Sequence, residues 1–600
     1  MRLEYKDYVR NVVKSYLGRL NKKAIFIKHY NTINITLDEM LQEEEYEHLF
    51  LFHEFEINSM KEAFEPFLGW IKICYEKFYK DKFSPEEFVE QCGVYVLHRQ
   101  VIYDYIKIGK CNRHEEVLMS EYNYEQEKML ESIYTVFRYV AKEHSIIMIM
   151  SKLHMVPYST LRMIHYIIDR VDDIYFIFTY NDIFFIRESL KENWNILIER
   201  GENENMILEW GKVENQQSVE LEDRVVFDDM SKIKDIIIKV WNMYYTFAME
   251  DADYYLEAIC DNINKSDSKV LDEDKMEILI VYALVNVGLH NSSKVLFICE
   301  NMCSLLQKES NPYNEYMYNY ISAMGHLLLI DSELADKYCR RCREIAEELD
   351  DDFLDFKIDV MKYMADFGSF GETFKCEKFF TVAPDLIERT LKYHYNNFLT
   401  YLYVYGYEND VESISAIAKG QKEPYYFNKG IELAKEMGNT NLLLVAYMKN
   451  IIVYSSYGYH KYVRKMYEKR IEVSDPNNLL RRAHMYAGVG YNSVVMEEYA
   501  DADQYFRNGL ELCVKLEKAD DISEVLYNMA LNYFVAGIYD RCVEYMEYVI
   551  KIMNAIDVQE IRICNVSKLY GIVALAQYKL REYYNCSYYL DKIELGVRHI

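Results

Sequence analysis

A pattern of small and large residues recurs three times near the C-terminal end of this 600-residue chain. Each copy has a small residue, a large apolar residue four positions later, and a small or apolar residue three positions after that. These offsets place all three on one helical face, where the small residue lets a neighbouring helix approach closely. The pattern therefore predicts repeated helix pairs, with these residues packed between helices. The three copies are Ala502, Phe506, Gly509; Cys542, Met546, Val549; and Cys586, Leu590, Ile593.

The copies resemble the second helices of tetratricopeptide repeats. Their first residues lie at positions 502, 542 and 586, a longer period than the usual one of about 34 residues. The same signature occurs earlier, at Ala335, Cys339 and Cys342. Gly438 is typical of a glycine that ends a helix. We therefore expect a tetratricopeptide-like α-helical solenoid over residues 235–600.

Chain-breaking residues are rare. The 21 glycines and 7 prolines make up less than 5% of the sequence, which excludes collagen-like and low-complexity disordered chains. An all-β protein would need more of both at its turns. The sequence therefore predicts a mainly α protein.

The first 190 residues carry a different signal. Four short apolar runs rich in β-branched or aromatic residues alternate with amphipathic helical stretches, which is typical of a buried parallel sheet. We predict an α/β domain over residues 1–190 and a helical connector over 191–234. The four runs are 23–27, 49–52, 146–150 and 174–178.

Charge and cysteine usage bear on partners and compartment. The 69 Lys and Arg against 97 Asp and Glu give a net charge of −28, which opposes binding to nucleic acid. No apolar run approaches the length of a membrane span, and the N-terminus has no signal-peptide core. The 13 cysteines are odd in number and scattered, as expected of reduced thiols. We predict a cytoplasmic protein that binds neither nucleic acid nor membrane.

The order of elements resembles the STAND ATPases, in which a P-loop domain precedes a helical arm and a tetratricopeptide sensor, as in the maltose-regulon activator. After its first strand that family carries the phosphate-binding pattern G-x-x-x-x-G-K-[ST]. The equivalent window here has His29 and Asn34 in place of both glycines, Ile35 in place of lysine, and Thr36 at the hydroxyl position. Without the glycines and the lysine, the resemblance implies a degenerate P-loop.

Two further family motifs match in position but not in chemistry. The two acids that follow the family's Mg²⁺-binding strand correspond to Ser151 and Lys152. The arginine that senses phosphate corresponds to Asn181. The resemblance therefore implies a retained fold without normal ATP hydrolysis, and we predict no catalytic residue and no cofactor.

Other chemical motifs are weak. Cys339 and Cys342 have the CxxC spacing, but no second pair accompanies them and both fall on the packing face of a predicted repeat helix. We interpret them as core thiols rather than metal ligands or a redox pair. No metal site is predicted.

Three functions remain open. The first is a non-catalytic regulatory or scaffolding protein, a pseudo-ATPase, that binds a protein or peptide through its helical repeats; its partner could be an active STAND-like relative or an enzyme. The second is a peptide-pheromone receptor, and the third an NTPase with an atypical nucleotide site. The chain ends directly after the last repeat, so we expect none of the DNA-reading helix-turn-helix found in activators of the family.

Overall fold

The computed structural model describes most of the chain, and its residues fall into two compact units, Met1–Lys375 and Cys376–Ile600. The described residues are 15–16, 23–29, 48–56, 59–109, 111, 122–168, 170, 173–181, 187–204, 206–210, 232–263, 270–308, 311–329, 331–368, 384–406, 410, 413–476, 478–516, 519–555, 560–561 and 564–597. Each unit is described by itself below.

The first unit contains a parallel sheet of five strands in the order β2-β3-β4-β1-β5. The four strands predicted from apolar runs are confirmed, and β3 is buried along its whole length. The fifth lies within the stretch predicted as a helical connector, where it pairs with β1 through Phe26 and Ile207. The strands are β1 (Ala24–His29), β2 (Leu49–Glu54), β3 (Ile146–Ser151), β4 (Ile174–Tyr180) and β5 (Ile207–Trp210).

Six α-helices of the described residues accompany this sheet. Their apolar faces join the strands in one core, in which Phe67 and Phe137 meet edge to face at 5.8 Å between ring centres. The helices are α1 (Phe67–Cys74), α2 (Pro85–Gln91), α3 (Val96–Ile108), α4 (Tyr122–Ala141), α5 (Tyr158–Ile168) and α6 (Glu188–Asn203).

The first unit continues as antiparallel helix pairs. The first helices of three successive pairs begin at residues 233, 272 and 312, and one further helix begins at 352, so the starts are 39 or 40 residues apart. The helices are α7 (Ile233–Tyr245), α8 (Met249–Ile263), α9 (Asp272–Gly288), α10 (Ser292–Leu306), α11 (Pro312–Leu328), α12 (Ser332–Glu348) and α13 (Asp352–Gly368).

The second unit consists of further helix pairs. Its helices are α14 (Pro384–Lys392), α15 (Asn396–Tyr405), α16 (Ile414–Ala418), α17 (Tyr425–Glu436), α18 (Thr440–Ser456), α19 (His460–Val473), α20 (Leu479–Val495), α21 (Tyr499–Lys515), α22 (Ala519–Val535), α23 (Tyr539–Ala555), α24 (Val566–Lys579) and α25 (Tyr583–Val597). A two-residue strand pair, β6 (Glu560–Ile561) and β7 (Cys564–Asn565), precedes α24. The predicted fold class, a mainly α protein with an N-terminal α/β part and tetratricopeptide-like helix pairs, is confirmed.

Three-residue turns join the two helices of a pair. In six of them the middle residue has a positive φ, between 56° and 78°. Glycine occupies this position at Gly458 and Gly537, whereas Glu497 and Arg581 adopt it with a side chain, at a cost of about 1–2 kcal/mol each. Gly438, with φ of 70°, follows the end of α17 and leads into Asn439, the cap of α18.

The predicted repeat-packing residues divide into two groups. The first nine in chain order, from Ala335 to Val549, are buried. Phe506 lies so close to Gly490 on the preceding helix that a Cβ atom there would come within 2.7 Å of its ring. In the last helix the outcome differs from the prediction: Leu590 is 51% exposed, and Cys586 and Ile593 are half-buried. The reason is position, because α25 is the last described helix and packs mainly against α24.

Candidate functional site

The carboxyl edge of the sheet is where an α/β domain of this kind binds its ligand. The ends of β3 and β4 carry the predicted residues Ser151 and Asn181, and both are buried. His29 is the last residue of β1. The other residues of the phosphate-loop window, Asn34, Ile35 and Thr36, lie outside the described residues. Together with Lys152, which follows Ser151 directly, the structure thus brings four of the predicted positions to one sheet edge.

Lys152 places a positive charge at this edge. Its φ of 57° turns the chain sharply after β3, and its backbone N–H donates to Thr179 Oγ1 at 3.3 Å. Its Nζ lies 2.6 Å from Glu54 Oε1, at the end of β2. This ion pair therefore stands at the point where the family resemblance places acids that hold Mg²⁺.

The neighbouring polar groups are also engaged with one another. The N–H of Asn181 donates to Nδ1 of the buried His154 at 3.2 Å, so the neutral imidazole carries its proton on Nε2. On the other side, His53 Nε2 lies 3.0 Å from Glu65 Oε1. Burial alone would raise the pKa of Glu65, but the hydrogen bonds that Glu65 accepts from His53 and from the Glu62 N–H lower it below its usual value. Each of these groups holds the loops at the sheet edge together.

A buried carboxylate joins the sheet edge to the helix pairs of the same unit. Asp251, on α8, is 1% exposed and accepts hydrogen bonds from the N–H groups of Tyr158 at 2.7 Å and Ser159 at 2.9 Å. These are the first two residues of α5, whose N–H groups have no partner within the helix. Asp251 therefore caps α5 from another helix.

The structure also contains a Ser-His-Glu arrangement that sequence reasoning missed. His98 on α3 lies between Glu125 Oε2, at 2.8 Å from Nε2, and Ser132 Oγ, at 3.1 Å from Nδ1. The residue types are those of a hydrolase triad, but in a triad the serine contacts Nε2 and the acid contacts Nδ1, so the two ring nitrogens are exchanged here. All three side chains are also closed off from solvent. The arrangement therefore serves to join α3 and α4.

A groove on the second unit is a second candidate site. It has a volume of about 930 Å³, within the range of sites that hold small ligands. The helices that line it are mainly α20 and α22, the first helices of two successive pairs. We call it the Arg470 groove, and its lining residues are Met448, Tyr467, Arg470, Asn478, Leu480, Arg481, His484, Met485, Ala487, Gly488, Tyr491, Glu524, Tyr527, Asn528 and Leu531.

One wall of the Arg470 groove forms because α20 has no side chain at Gly488. A Cβ atom there would lie 2.6 Å from the ring of Tyr467 on α19. With glycine, the ring lies directly against α20. The rings of Tyr467 and of the exposed Tyr491 both line the groove and give it aromatic contact surface.

The same wall is positively charged. Burial lowers the pKa of the Arg470 guanidinium; Tyr467 opposes this shift and the charge of Arg481 adds to it. On the α22 side, His484 is paired with Asp521 at 2.8 Å. No sequence motif marked these residues, since they come from three helices and share no spacing.

A smaller pocket of about 350 Å³ lies among the helix pairs of the first unit. Trp241 and Tyr245 stack at 5.5 Å between ring centres, and the indole N–H donates to Glu277 Oε1 at 3.2 Å. Lys357 and Tyr313 also line it. Its aromatic and charged groups lie on α7, α9, α11 and α13 or directly before them, so in this unit too the first helices of pairs form a depression.

The CxxC cysteines occupy the helix interface. Cys339 and Cys342 are both buried, and burial raises the pKa of each thiol. No cluster of three or more metal-ligating side chains occurs among the described residues. None of the described helices is long and apolar enough to cross a membrane.

Comparisons with known proteins gave matches among solved structures. No protein-family model matches the chain, and no curated protein matches it. The STAND protein with a tetratricopeptide repeat sensor from Pyrococcus horikoshii matches 98% of this chain and 96% of its own length, with 12% identity and a TM-score of 0.27. The structure of aspartyl phosphate phosphatase F from Bacillus subtilis matches 65% of this chain and 97% of its own length, with 14% identity and a TM-score of 0.29. NprR in complex with its cognate peptide NprX matches 62% and 90%, with 14% identity and a TM-score of 0.29. A STAND protein with a tetratricopeptide repeat sensor is thus among the solved structures that match this chain.

Proposed function

We propose that this protein is a non-catalytic regulator that binds a peptide segment of a partner protein in the Arg470 groove. The observation that carries the proposal is the groove itself, which is formed by the helix pairs and combines aromatic surface with a positive wall. Tyrosine gives large contact area at small entropic cost, which suits recognition of a peptide. The partner is a protein such as an active STAND-like relative or an enzyme.

The sheet edge supports the non-catalytic part of the proposal. A metal ion bound after β3 would need carboxylates, because Mg²⁺ takes oxygen ligands. The residues there are Ser151 and Lys152, and the Lys152 ammonium would repel a metal ion. The nearby carboxylate of Glu54 is paired with Lys152, so its negative charge is already compensated. The α/β part then serves as a scaffold for the helix pairs.

We expect the purified full-length protein to show no Mg²⁺-dependent ATP hydrolysis and no tight ATP binding. The reason is the combination of Lys152 at the metal position with a phosphate-loop window that lacks its glycines and lysine. A coupled hydrolysis assay and titration calorimetry measure the two properties. ATP binding at micromolar concentration that is lost in Thr36→Ala would contradict the prediction and favour the atypical-NTPase alternative.

We expect Tyr491→Ala to weaken capture of the partner at least about tenfold, as for a contact residue at an interface. Tyr491 lines the groove and is 58% exposed, so its removal should leave stability unchanged. Tyr584→Ala is the matched control, because Tyr584 is 86% exposed and lies on α25, outside the groove. Affinity purification from the native cell with quantified partner recovery compares the three proteins.

Two outcomes would count against this function. If Tyr491→Ala and Tyr584→Ala recover the same partner in equal amount, the Arg470 groove is not the recognition surface. If the groove instead releases a free short peptide on denaturation and no protein partner depends on Tyr491, the protein is a peptide receptor, as in the pheromone alternative.

A further inference from the structure

Arg470 is a half-buried cation without a counter-ion in the described part of the chain. Its Nη1 lies 3.2 Å from Met448 Sδ, and its Nε is enclosed without a hydrogen-bond partner. A guanidinium has five N–H donors, and taking a charge out of water without a partner is unfavourable. The groove therefore holds unused donors at its α19 wall.

Arg481 adds a second unpaired guanidinium to the same groove. Its backbone N–H donates to Asn478 Oδ1 as part of the α20 cap, while its side chain makes no ion pair with any described residue. Its charge acts on Arg470. Two like charges that face one cavity repel each other, and an anion between them would relieve the repulsion.

This pair differs from five other arginines of the helix pairs, each of which lies beside a carboxylate. The chain as a whole has a net charge of −28, so acidic partners were available. Arginines that have one are Arg341 with Glu315 at 2.9 Å, Arg343 with Asp355 at 2.6 Å, Arg464 with Asp501 at 3.1 Å, Arg507 with Asp503 at 2.8 Å and Arg541 with Glu544 at 2.7 Å. In the Arg470 groove, by contrast, two arginines from successive helices line one cavity without an ion pair to a described residue.

We infer that the Arg470 groove recognises an acidic peptide, in which the carboxylate of an Asp or Glu side chain bridges the guanidinium groups of Arg470 and Arg481. This inference rests on the proposed function and specifies its ligand. The aromatic surface of Tyr467, Tyr491 and Tyr527 takes the apolar residues beside the acid. Glu524 lies on α22 and would repel a second carboxylate. The carboxylate of the ligand therefore lies at the opposite wall, which is formed by α19 and α20.

The acidic group is a side chain rather than a peptide C-terminus. Terminal carboxylates are commonly captured by nests of backbone N–H groups, whereas acidic motifs are bound by arginine clusters. At the start of α20 the Arg481 N–H is already donated to Asn478. The side chains of Arg470 and Arg481, by contrast, have N–H donors that pair with no carboxylate of the described residues.

The test uses the labelled full-length protein and a library of random nonapeptides that are acetylated and C-terminally amidated, so that every carboxylate in the library is a side chain. Wild type is expected to select peptides enriched in Asp or Glu at one position. Arg481→Glu should lose this preference, favour Lys or Arg, and bind a selected acidic peptide about 10- to 100-fold more weakly. Arg541→Glu, an exposed arginine on α23, is the control and should select as wild type does.

Other results would overturn the inference in distinguishable ways. Peptides whose binding depends on Tyr491 but shows no preference for acids would leave the proposed function standing and refute the acidic ligand. The same library is also tested with free C-terminal carboxylates. If only these peptides bind, the groove recognises the C-terminal carboxylate and not an acidic side chain. Absence of any binding that Tyr491→Ala weakens would refute the proposed function as well.

Discussion

Asp251→Ala is expected to lower the free energy of unfolding of the first unit by about 3 kcal/mol, the sum of two hydrogen bonds to a charged group at about 1.5 kcal/mol each. The Asp251 carboxylate accepts the N–H groups of Tyr158 and Ser159 and is buried. Alanine would leave both donors enclosed and unpaired, and would remove a negative charge from the positive end of α5.

The measurement is chemical denaturation together with hydrogen exchange of the peptide that covers α5. Asp261→Ala on the same helix is the matched control, because Asp261 is exposed and its loss should change stability by less than about 0.5 kcal/mol. Asp251→Asn keeps one acceptor oxygen and should give an intermediate loss. If Asp251→Ala unfolds at the same denaturant concentration as Asp261→Ala, with unchanged exchange at α5, the cap does not hold the sheet edge to the helix pairs.

Much of the fold could be predicted from local pattern. The run of apolar residues from Ile146 to Met150 predicts a strand because every side chain of β3 is buried, and the small-large-small spacing finds Ala502, Phe506 and Gly509 because each faces a neighbouring helix. The same reasoning missed β5, whose four residues include Glu209 and Trp210. A short strand at the edge of a sheet carries too little apolar pattern to be recognised.

The contacts that define the candidate site depend on tertiary structure. Asp251 lies more than ninety residues from the N–H groups that it caps, and an exposed aspartate on α8 would look the same in the sequence. The packing spacing also places Leu590 at an interface, although no later helix of the described residues covers it. Arg470 and Arg481 line the same groove because they lie near the end of α19 and near the start of α20, which are successive helices. That neither arginine has a carboxylate partner among the described residues can be seen only in the folded structure, because the neighbouring residues come from other helices.

The absence of a counter-ion gives Arg470 an unusual expected response to mutation. Replacing a half-buried polar residue usually destabilises a protein, but Arg470→Met removes a charge that no described carboxylate compensates and keeps an unbranched apolar side chain beside Met448 and Tyr467. Replacement of uncompensated or paired buried charge by apolar groups is often stabilising. We therefore expect the second unit to gain about 1 kcal/mol while binding of an acidic peptide falls about 10- to 100-fold.

Arg464→Met on the same helix is the matched control for Arg470→Met. Arg464 contacts Asp501 at 3.1 Å and also Glu498, so its loss should lower stability and leave peptide binding unchanged. Thermal unfolding and fluorescence anisotropy with a selected acidic peptide measure the two properties. Residues of a functional site often lower stability in return for binding. If Arg470 is such a residue, Arg470→Met should raise stability and weaken peptide binding. If Arg470→Met lowers stability as Arg464→Met does and peptide binding is retained, Arg470 is a structural residue and the positive wall of the groove has no ligand.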